Sequence, residues 1–527
     1  MPPETLPSRC VQSEISLGLG FTLLTLLTLI AGAPLAYPGF LETHSGFLPI
    51  YHAYELAGGA NLFIWTPRIG SDFDPWRSDG RFSYWIAALA IRGGLSGTAA
   101  VRLSYALALV LGAWGMHVWA RRHLSPLAAL LAALVYVFLP WTLVTWYVRG
   151  ALGEAWLWAV TPWLLWGVSA GMAGSRRGWA AAGLATMLLL WSQAGLAAFV
   201  LFLALLSLAL AQEAKARLPT LFALAIGVAV GIVGLIPWLT QPGAGPNPAF
   251  DEHFLYLFQL LLPQWGYDVS RPGWQDSLSF QMGAVAIGLA LLAAYGGLAH
   301  RSSPRQDRLW HWAGAATGLI LLLTLGITAP LWRVTGMQRL LTYPWQLLIV
   351  AAPWLSLMAG SAVDRIPGLE AQPRWAVVAG LVVLSVYPYL SPRFTQVEPG
   401  ARPAAILGEN QIALVDAQVT GDIRPGSTLT VTLTWQALKP IELDYTVFVH
   451  VVDPDEQIRT QRDIQPQAGQ RPTNTWAVGE LIRDEHPLSI PADAPAVRYH
   501  INLGLYDWRT GQRLRVGNAD FIRLEAP

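Results

Sequence analysis

Charge is scarce in this chain of 527 residues: Asp, Glu, Lys and Arg make up 13% of it, about half the roughly 25% usual in soluble domains. The formal net charge is +1, so there is no concentrated basic surface of the kind a nucleic-acid partner requires. Cysteine is almost missing. Cys10 stands alone, which excludes an intrachain disulfide and any cysteine-based zinc site. Lysine is nearly absent too, with only Lys215 and Lys439 among many arginines. What replaces charge is apolar surface. Hydrophobic residues reach 54% and tryptophan alone numbers 25, a composition that suits a polytopic membrane protein with aromatic residues at the bilayer interface.

A helix crosses a bilayer in about 20 apolar residues. Runs of that kind fall near 15–37, 98–119, 124–144, 150–171, 178–193, 194–211, 218–239, 280–299, 309–328, 343–363 and 374–391, which predicts about eleven spans. The first resembles a cleavable leader, with Arg9 before it and Ala31-Gly32-Ala33 after it. The acidic Glu4 and Glu14, and the topology that follows, favour a retained helix. The segment 83–95 is apolar but stops at Arg92-Gly93-Gly94, and is expected to be an interfacial or re-entrant helix. Basic connections at Arg121-Arg122, Arg176-Arg177, Lys215/Arg217, Arg301/Arg305/Arg308 and Arg365/Arg374 alternate with poorly basic ones. Placed inside, they put the N-terminus in the cytoplasm and the loops 38–97, 240–279 and 329–342 outside. In the second of these, an amphipathic run around His253–Leu262 is suited to lying flat on the bilayer.

The loop Phe40–Arg92 gathers what little charge the chain has. Glu42, His44, His52, Glu55, Arg68, Asp72, Asp74, Arg77, Asp79 and Arg81 all lie in it. After about Ser391 the pattern changes to short alternating runs, 429–435, 444–453 and 498–508, separated by Pro, Gly and Asp turns. Those runs predict an all-β sandwich of roughly seven strands. The expected organisation is therefore an α-helical polytopic membrane domain over 1–391 and an extracytoplasmic β-sandwich domain over 392–527.

The most distinctive motif is Tyr147-Val148-Arg149-Gly150-Ala151-Leu152-Gly153-Glu154, placed by the topology at the outer end of two neighbouring helices. Arg149 is a fixed cation suited to a phosphate. Glu154 falls in the first turn of a helix, where a carboxylate meets the positive end of the dipole. An interfacial anchor and a helix start explain the same residues. This motif, with the LVYVFLPW run before it and DYTVFVHVVD, QRDIQP, PTNTW and INLGLYDWRTGQRL far behind it, resembles the bacterial multi-pass membrane proteins called "6-pyruvoyl-tetrahydropterin synthase-related". No zinc-binding histidine triad supports the pterin name. The plan of that family is similar to the GT-C glycosyltransferases: a first helix, a long outer loop with carboxylates, then many helices.

The resemblance implies transfer of a sugar from a polyprenyl-phosphate carrier to an envelope glycan or protein acceptor at the plasma membrane. Such chemistry needs a carboxylate to take the acceptor's proton and cations to hold the departing phosphate. Relatives often read His-Asp soon after the first helix; this chain reads His44-Ser45, which makes Glu42 the nearest substitute. The catalytic candidates are Glu42, His44, Asp72 and Asp74; the substrate-binding candidates are His52, Arg149, Glu154 and Arg339. No metal ligand or cofactor is assigned, although the Asp72-x-Asp74 spacing also suits a divalent cation. The ordinary readings are solvated loop acids and interfacial histidines, with Trp65, Trp76, Trp141, Trp146 and Trp156 as belt residues. Trp476 and Trp508 suit either glycan stacking or the sandwich core. Two other functions share the architecture: a non-catalytic glycan-binding or assembly protein of the envelope, and a transporter of a lipid-linked glycan. The transporter fits less well, because the charges lie in loops and at helix ends rather than deep in the membrane.

Overall fold

The computed structural model describes residues 17–59, 74, 76–210, 216–236, 247, 249–299, 304–395, 403–408, 411–516 and 519–525. Asp72, Arg68 and Trp65 lie outside the described residues.

The helical part begins with α1 (Leu17–Gly32), an uncharged helix, apolar but for three threonines, whose Leu26 and Leu29 stay more than half exposed. Two short helices follow in the first loop, α2 (Leu48–Gly58) and α3 (Arg81–Arg92). The second ends where expected, because Gly94 adopts a left-handed φ of +96° that stops the helix. Next come α4 (Gly97–Ala120), capped by the Ser96 side chain, and α5 (Pro126–Val137), capped by Ser125. Pro140 cannot continue α5, so a new helix, α6 (Pro140–Val144), starts there at a 41° bend and runs into a π-turn over Thr145–Arg149. Gly150 ends that turn with φ +63°. The chain re-enters the bundle as α7 (Leu152–Met172), α8 (Arg176–Ser192), α9 (Ala194–Leu210) and α10 (Arg217–Val233). Small residues let these pack closely: a Cβ on Gly178 would sit 2.4 Å from the Gly171 nitrogen. The last helices are α11 (Ala284–Ala299), α12 (Pro304–Leu323), α13 (Ala329–Thr335), α14 (Leu348–Gly360), α15 (Ala362–Arg365) and α16 (Gln372–Leu384).

Among the described residues, three helical stretches are long and apolar enough to cross a membrane: Gly18–Ala36, Gly97–Ala120 and Pro344–Arg365. The bent pair α5–α6 makes a fourth if taken as one span, and α9, α10, α11 and α16 are shorter apolar helices. The run expected to lie flat in the second loop is not one helix. It forms two single 3-10 turns, Phe250–His253 and Leu257–Leu260, with Leu257, Phe258, Leu261 and Leu262 exposed.

Among the described residues the C-terminal region is a sandwich of two antiparallel four-stranded sheets, eight strands where about seven were expected. One sheet joins β3 (Ala405–Leu407), β4 (Ile412–Gly421), β5 (Thr428–Ala437) and β8 (Leu481–Ser489); the other joins β6 (Tyr445–Val452), β7 (Ile458–Ile464), β9 (His500–Asp507) and β10 (Ile522–Glu525). Strict alternation along β8 turns Ile482, Asp484, His486 and Leu488 inward. Trp435, Val447, Val449 and Ile501 fill the space between the sheets. Trp476 is part of this core, whereas Trp508 is exposed. Two remaining strands, β1 (Phe40–Leu41) and β2 (Phe394–Thr395), pair with each other and tie the first loop to the start of the C-terminal region.

Candidate functional site

The strip Glu42–Ser45, just after β1, is held on several sides. The Glu42 amide donates to the Arg393 carbonyl. The His44 and Ser45 amides donate to the carbonyls of Val148 and Arg149, and the Ser45 hydroxyl donates to Arg149 O at 3.0 Å. Gly150 has no room for a side chain, since a Cβ there would meet Thr43 Oγ1 at 2.1 Å. The His44 ring donates from Nε2 to the Tyr267 carbonyl of the second long loop at 3.0 Å. Some of His44 reaches the surface, yet its ring is packed. Burial lowers its pKa to about 4 against the pull of that hydrogen bond, and the charges of Arg149 and Lys439 push the same way. His44 is thus a neutral donor through Nε2. Glu42 is partly exposed, and among the described residues its carboxylate makes no hydrogen bond or ion pair.

The motif at 147–154 supplies the floor. Arg149 and Glu154 form a buried bidentate pair, with Arg149 Nη2 2.6 Å from Glu154 Oε1. Gln346 Nε2 donates to the same oxygen at 2.8 Å. The guanidinium lies 4.6 Å from the Trp345 ring centroid and 5.5 Å from that of Trp141. Arg149 is therefore engaged by its own protein before any substrate arrives, and Glu154 is its counter-ion.

Asp79 was treated in the sequence as one more loop acid, and no local signal separates it from its neighbours. In the fold it sits at the start of α7, where the Gly153 amide and the Tyr84 hydroxyl (3.1 Å) both donate to it. The residue keeps some exposure, but its carboxylate is desolvated and faces Glu154, and burial first and that charge second lift its pKa to about 6. His52 is buried on α2 with its ring edge-on to Tyr84, centroids 5.1 Å apart. His52, Tyr84, Asp79, Glu154 and Arg149 thus form one connected layer beneath the first loop.

Two predicted site residues stand apart. Asp74 is buried and spent on its own turn: it accepts from the Trp76 and Arg77 amides and pairs with the Arg77 side chain at 3.2 Å. That is the ordinary role of Asp in an Asx turn, and it leaves the Asp-x-Asp spacing poorly suited to a cation. Arg339 is exposed on a 3-10 turn over Met337–Arg339, away from these contacts. Gln193, expected as a simple turn residue, links helix and loop: its Oε1 caps Leu196 N and its Nε2 donates to Arg77 O. Trp141, Trp146 and Trp156 are not belt residues. All three are buried inside the bundle, because the bend at Pro140 and the π-turn fold that segment inward.

Sequence reading also missed a chain in the second loop, His253 Nδ1–Ser270 Oγ (2.8 Å)–Asp276 Oδ2 (2.6 Å). The serine proton is directed at the aspartate, so the chain braces the loop rather than arming a nucleophile. A groove of about 440 Å³ runs between α8 and α10 along Trp179, Met187, Phe222, Ile226 and Val230. Next in the chain after the groove residue Val230, the Gly231 carbonyl accepts from Trp191 Nε1, and the Arg81 guanidinium lies over the Trp191 ring at 4.9 Å.

No family model matches the chain, and no curated protein matches it. The resemblance to the pterin-synthase-related membrane proteins therefore has no family match behind it. Solved structures do match. ArnT from Cupriavidus metallidurans bound to undecaprenyl phosphate is 15% identical over 68% of this chain and 61% of that one, with a TM-score of 0.44. The arabinofuranosyltransferase AftD from mycobacteria is 20% identical, covering 71% of this chain and 27% of its own, with a TM-score of 0.45. The apo oligosaccharyltransferase of Archaeoglobus fulgidus is 14% identical, covering 72% and 55%, with a TM-score of 0.39. These structural neighbours are GT-C glycosyltransferases. The chain spans less than two thirds of the length of each. At these identities and scores none of them assigns a residue of this chain a role.

Proposed function

We propose that the protein is a GT-C-type glycosyltransferase of the plasma membrane that moves a sugar from a polyprenyl-phosphate donor to an extracytoplasmic glycan or protein acceptor. The observation that supports this most is the strip Glu42–Ser45: its backbone is pinned to β2 and to the 147–154 turn, while the Glu42 carboxylate is left unengaged among the described residues. A base held in place and not spent on structure is what proton removal from a hydroxyl requires. In this reading Glu42 takes the acceptor's proton as the acceptor oxygen bonds to the anomeric carbon. The carbon–oxygen bond to phosphate breaks, and its electron pair leaves on the polyprenyl phosphate. His44, neutral and fixed by Tyr267, orients the reacting groups. The isoprenoid tail fits the apolar groove between α8 and α10. Arg149, Glu154 and His52 shape the floor, Asp72 remains a catalytic candidate and Arg339 a candidate for substrate contact, and the reading keeps about eleven spans with the N-terminus inside and the β domain, 392–527, outside.

One observation favours a second reading, a non-catalytic envelope glycan-binding or assembly protein. The Ser45 hydroxyl, at the place where the family resemblance leads one to expect Asp, is committed to the Arg149 carbonyl. The two readings separate in reconstituted liposomes supplied with a panel of polyprenyl-phosphate sugars. Carrier release by the parent chain, lowered by at least about 100-fold in Glu42→Gln as for the loss of a general base, is the expected result. Equal release by Glu42→Gln removes Glu42 as the base; no release from any donor by folded protein removes the transferase.

A further inference from the structure

The short ribbon β1–β2 sets a carboxylate and a cation opposite each other. Its register pairs Phe40 with Thr395 and Leu41 with Phe394. The next facing pair is Glu42 and Arg393, joined by the Glu42 amide, which donates to the Arg393 carbonyl at 3.0 Å. Facing residues of an antiparallel pair carry their side chains on the same side of the ribbon. Arg393 is exposed, and its guanidinium lies over the Tyr267 ring, 5.7 Å from the centroid. Tyr267 is itself fixed at three points. Its hydroxyl donates to the Pro388 carbonyl at 3.2 Å, its ring meets that of buried Tyr389 edge-on, and its carbonyl accepts from His44 Nε2. Arg393 is thus tied to the candidate strip twice: through its own backbone at Glu42, and through the tyrosine platform at His44.

A transferase of the kind proposed above needs a cation at the departing phosphate that is not already neutralised. Most arginines of the surrounding loops are spent. Arg77, Arg149, Arg271 and Arg333 face Asp74, Glu154, Glu442 and Asp251, and Arg102 donates to the carbonyls of Tyr37 and Gly39. Among the described residues the Arg393 side chain makes no ion pair and no hydrogen bond. Stacking on an aromatic ring occupies the flat face of a guanidinium. The N–H donors lie along its edge and stay available to a phosphate, which they match bidentately.

We infer that Arg393 is the cation that receives the phosphate of a lipid-linked donor beside the strip Glu42–Ser45. This rests on the proposed donor class but not on turnover. The ribbon β1–β2 is then part of the donor site, and not only a tie between the first loop and the start of the C-terminal region.

The test is binding of undecaprenyl phosphate to the purified full-length chain in detergent, beside the neutral undecaprenol and phosphatidylglycerol. Loss of one charge-assisted contact corresponds to about tenfold weaker binding. Arg393→Gln is expected to weaken undecaprenyl phosphate by about that factor and leave undecaprenol unchanged. Arg393→Lys keeps the charge but not the fork, and should fall between Arg393→Gln and the parent. Unchanged undecaprenyl phosphate binding by both folded variants overturns the inference. So does equal loss for undecaprenol, which marks a packing effect, or equal competition by phosphatidylglycerol, which marks contact with ordinary headgroups. Arg393-dependent binding without sugar transfer sinks the transferase and leaves the inference standing. Transfer and binding that ignore Arg393 do the reverse, and a parent chain that binds no polyprenyl phosphate ends both.

Discussion

The Tyr51 hydroxyl and Gln436 Oε1 are 2.7 Å apart in a buried hydrogen bond that joins residues 385 positions apart in sequence. Removing one partner leaves the other buried and unsatisfied, a cost of about 1–3 kcal/mol. Tyr51→Phe and Gln436→Leu are each expected to lower the unfolding temperature in detergent. The double variant should lose less than the sum, with a coupling of about 0.5 kcal/mol or more in a double-mutant cycle. Strict additivity would mean that sandwich and helices do not meet here.

Arg149 and Glu154 make a structural pair before they make a binding site. Glu154→Leu strands the guanidinium between Trp141 and Trp345, and breaking a buried pair from one side costs about 3–5 kcal/mol. The single variant should give little monodisperse protein on size exclusion. Arg149→Met combined with Glu154→Leu should recover much of the yield. A well-folded Glu154→Leu protein would show that the pair is not holding the turn.

His44 and Asp79 give opposite pH slopes. The His44 pKa falls from 6.5 in the free residue to about 4. Between those values the unfolded chain binds more protons, so this stability is complete above pH 6.5 and is lost as pH falls towards 4. The Asp79 pKa rises from 3.8 to about 6, so there the folded chain binds more protons and stability declines as pH rises through that window. Thermal melts across the shared window should therefore slope upward with pH in Asp79→Asn and downward in His44→Gln. Matching slopes in the two variants would contradict these environments.

Gly150→Ala combines two penalties. A left-handed φ costs a side chain about 1–2 kcal/mol, and the added carbon would meet Thr43 Oγ1 at 2.1 Å. Thr43→Ala in the same chain should relieve only part of the contact, because the Cβ it keeps lies 2.6 Å from the added carbon, and none of the backbone strain. A partial rescue of the melting temperature is expected, and a complete rescue would remove the backbone part.

Much of this was legible along the chain because it rests on local chemistry. Gly93-Gly94 stops α3, Pro140 breaks α5 from α6, and alternation marks β5, whereas β6 is buried at every position and β9 at most of its positions. The 147–154 turn is legible in the sequence as the junction of two helices, but the partners of its charged residues are not. Nothing local says that Arg149 finds Glu154 and Gln346, since Gln346 arrives from 192 residues beyond Glu154. Asp79 and Asp74 look alike in sequence; only the arrival of Gly153 and Tyr84 at one, and a tight turn at the other, divides them. Trp141, Trp146 and Trp156 lie near helix ends, where core and interface tryptophans have the same neighbours in sequence.

The pairing of Phe40 with Thr395 and of Tyr51 with Gln436 also sets a clock. At a synthesis rate of about 5–20 residues per second, the 385 residues between Tyr51 and Gln436 take roughly 20–80 s to emerge. Throughout that interval Tyr51 has been made but lacks its partner, so the first loop cannot yet take up the packing seen in the finished fold, and those contacts form only once the residues around Gln436 have emerged.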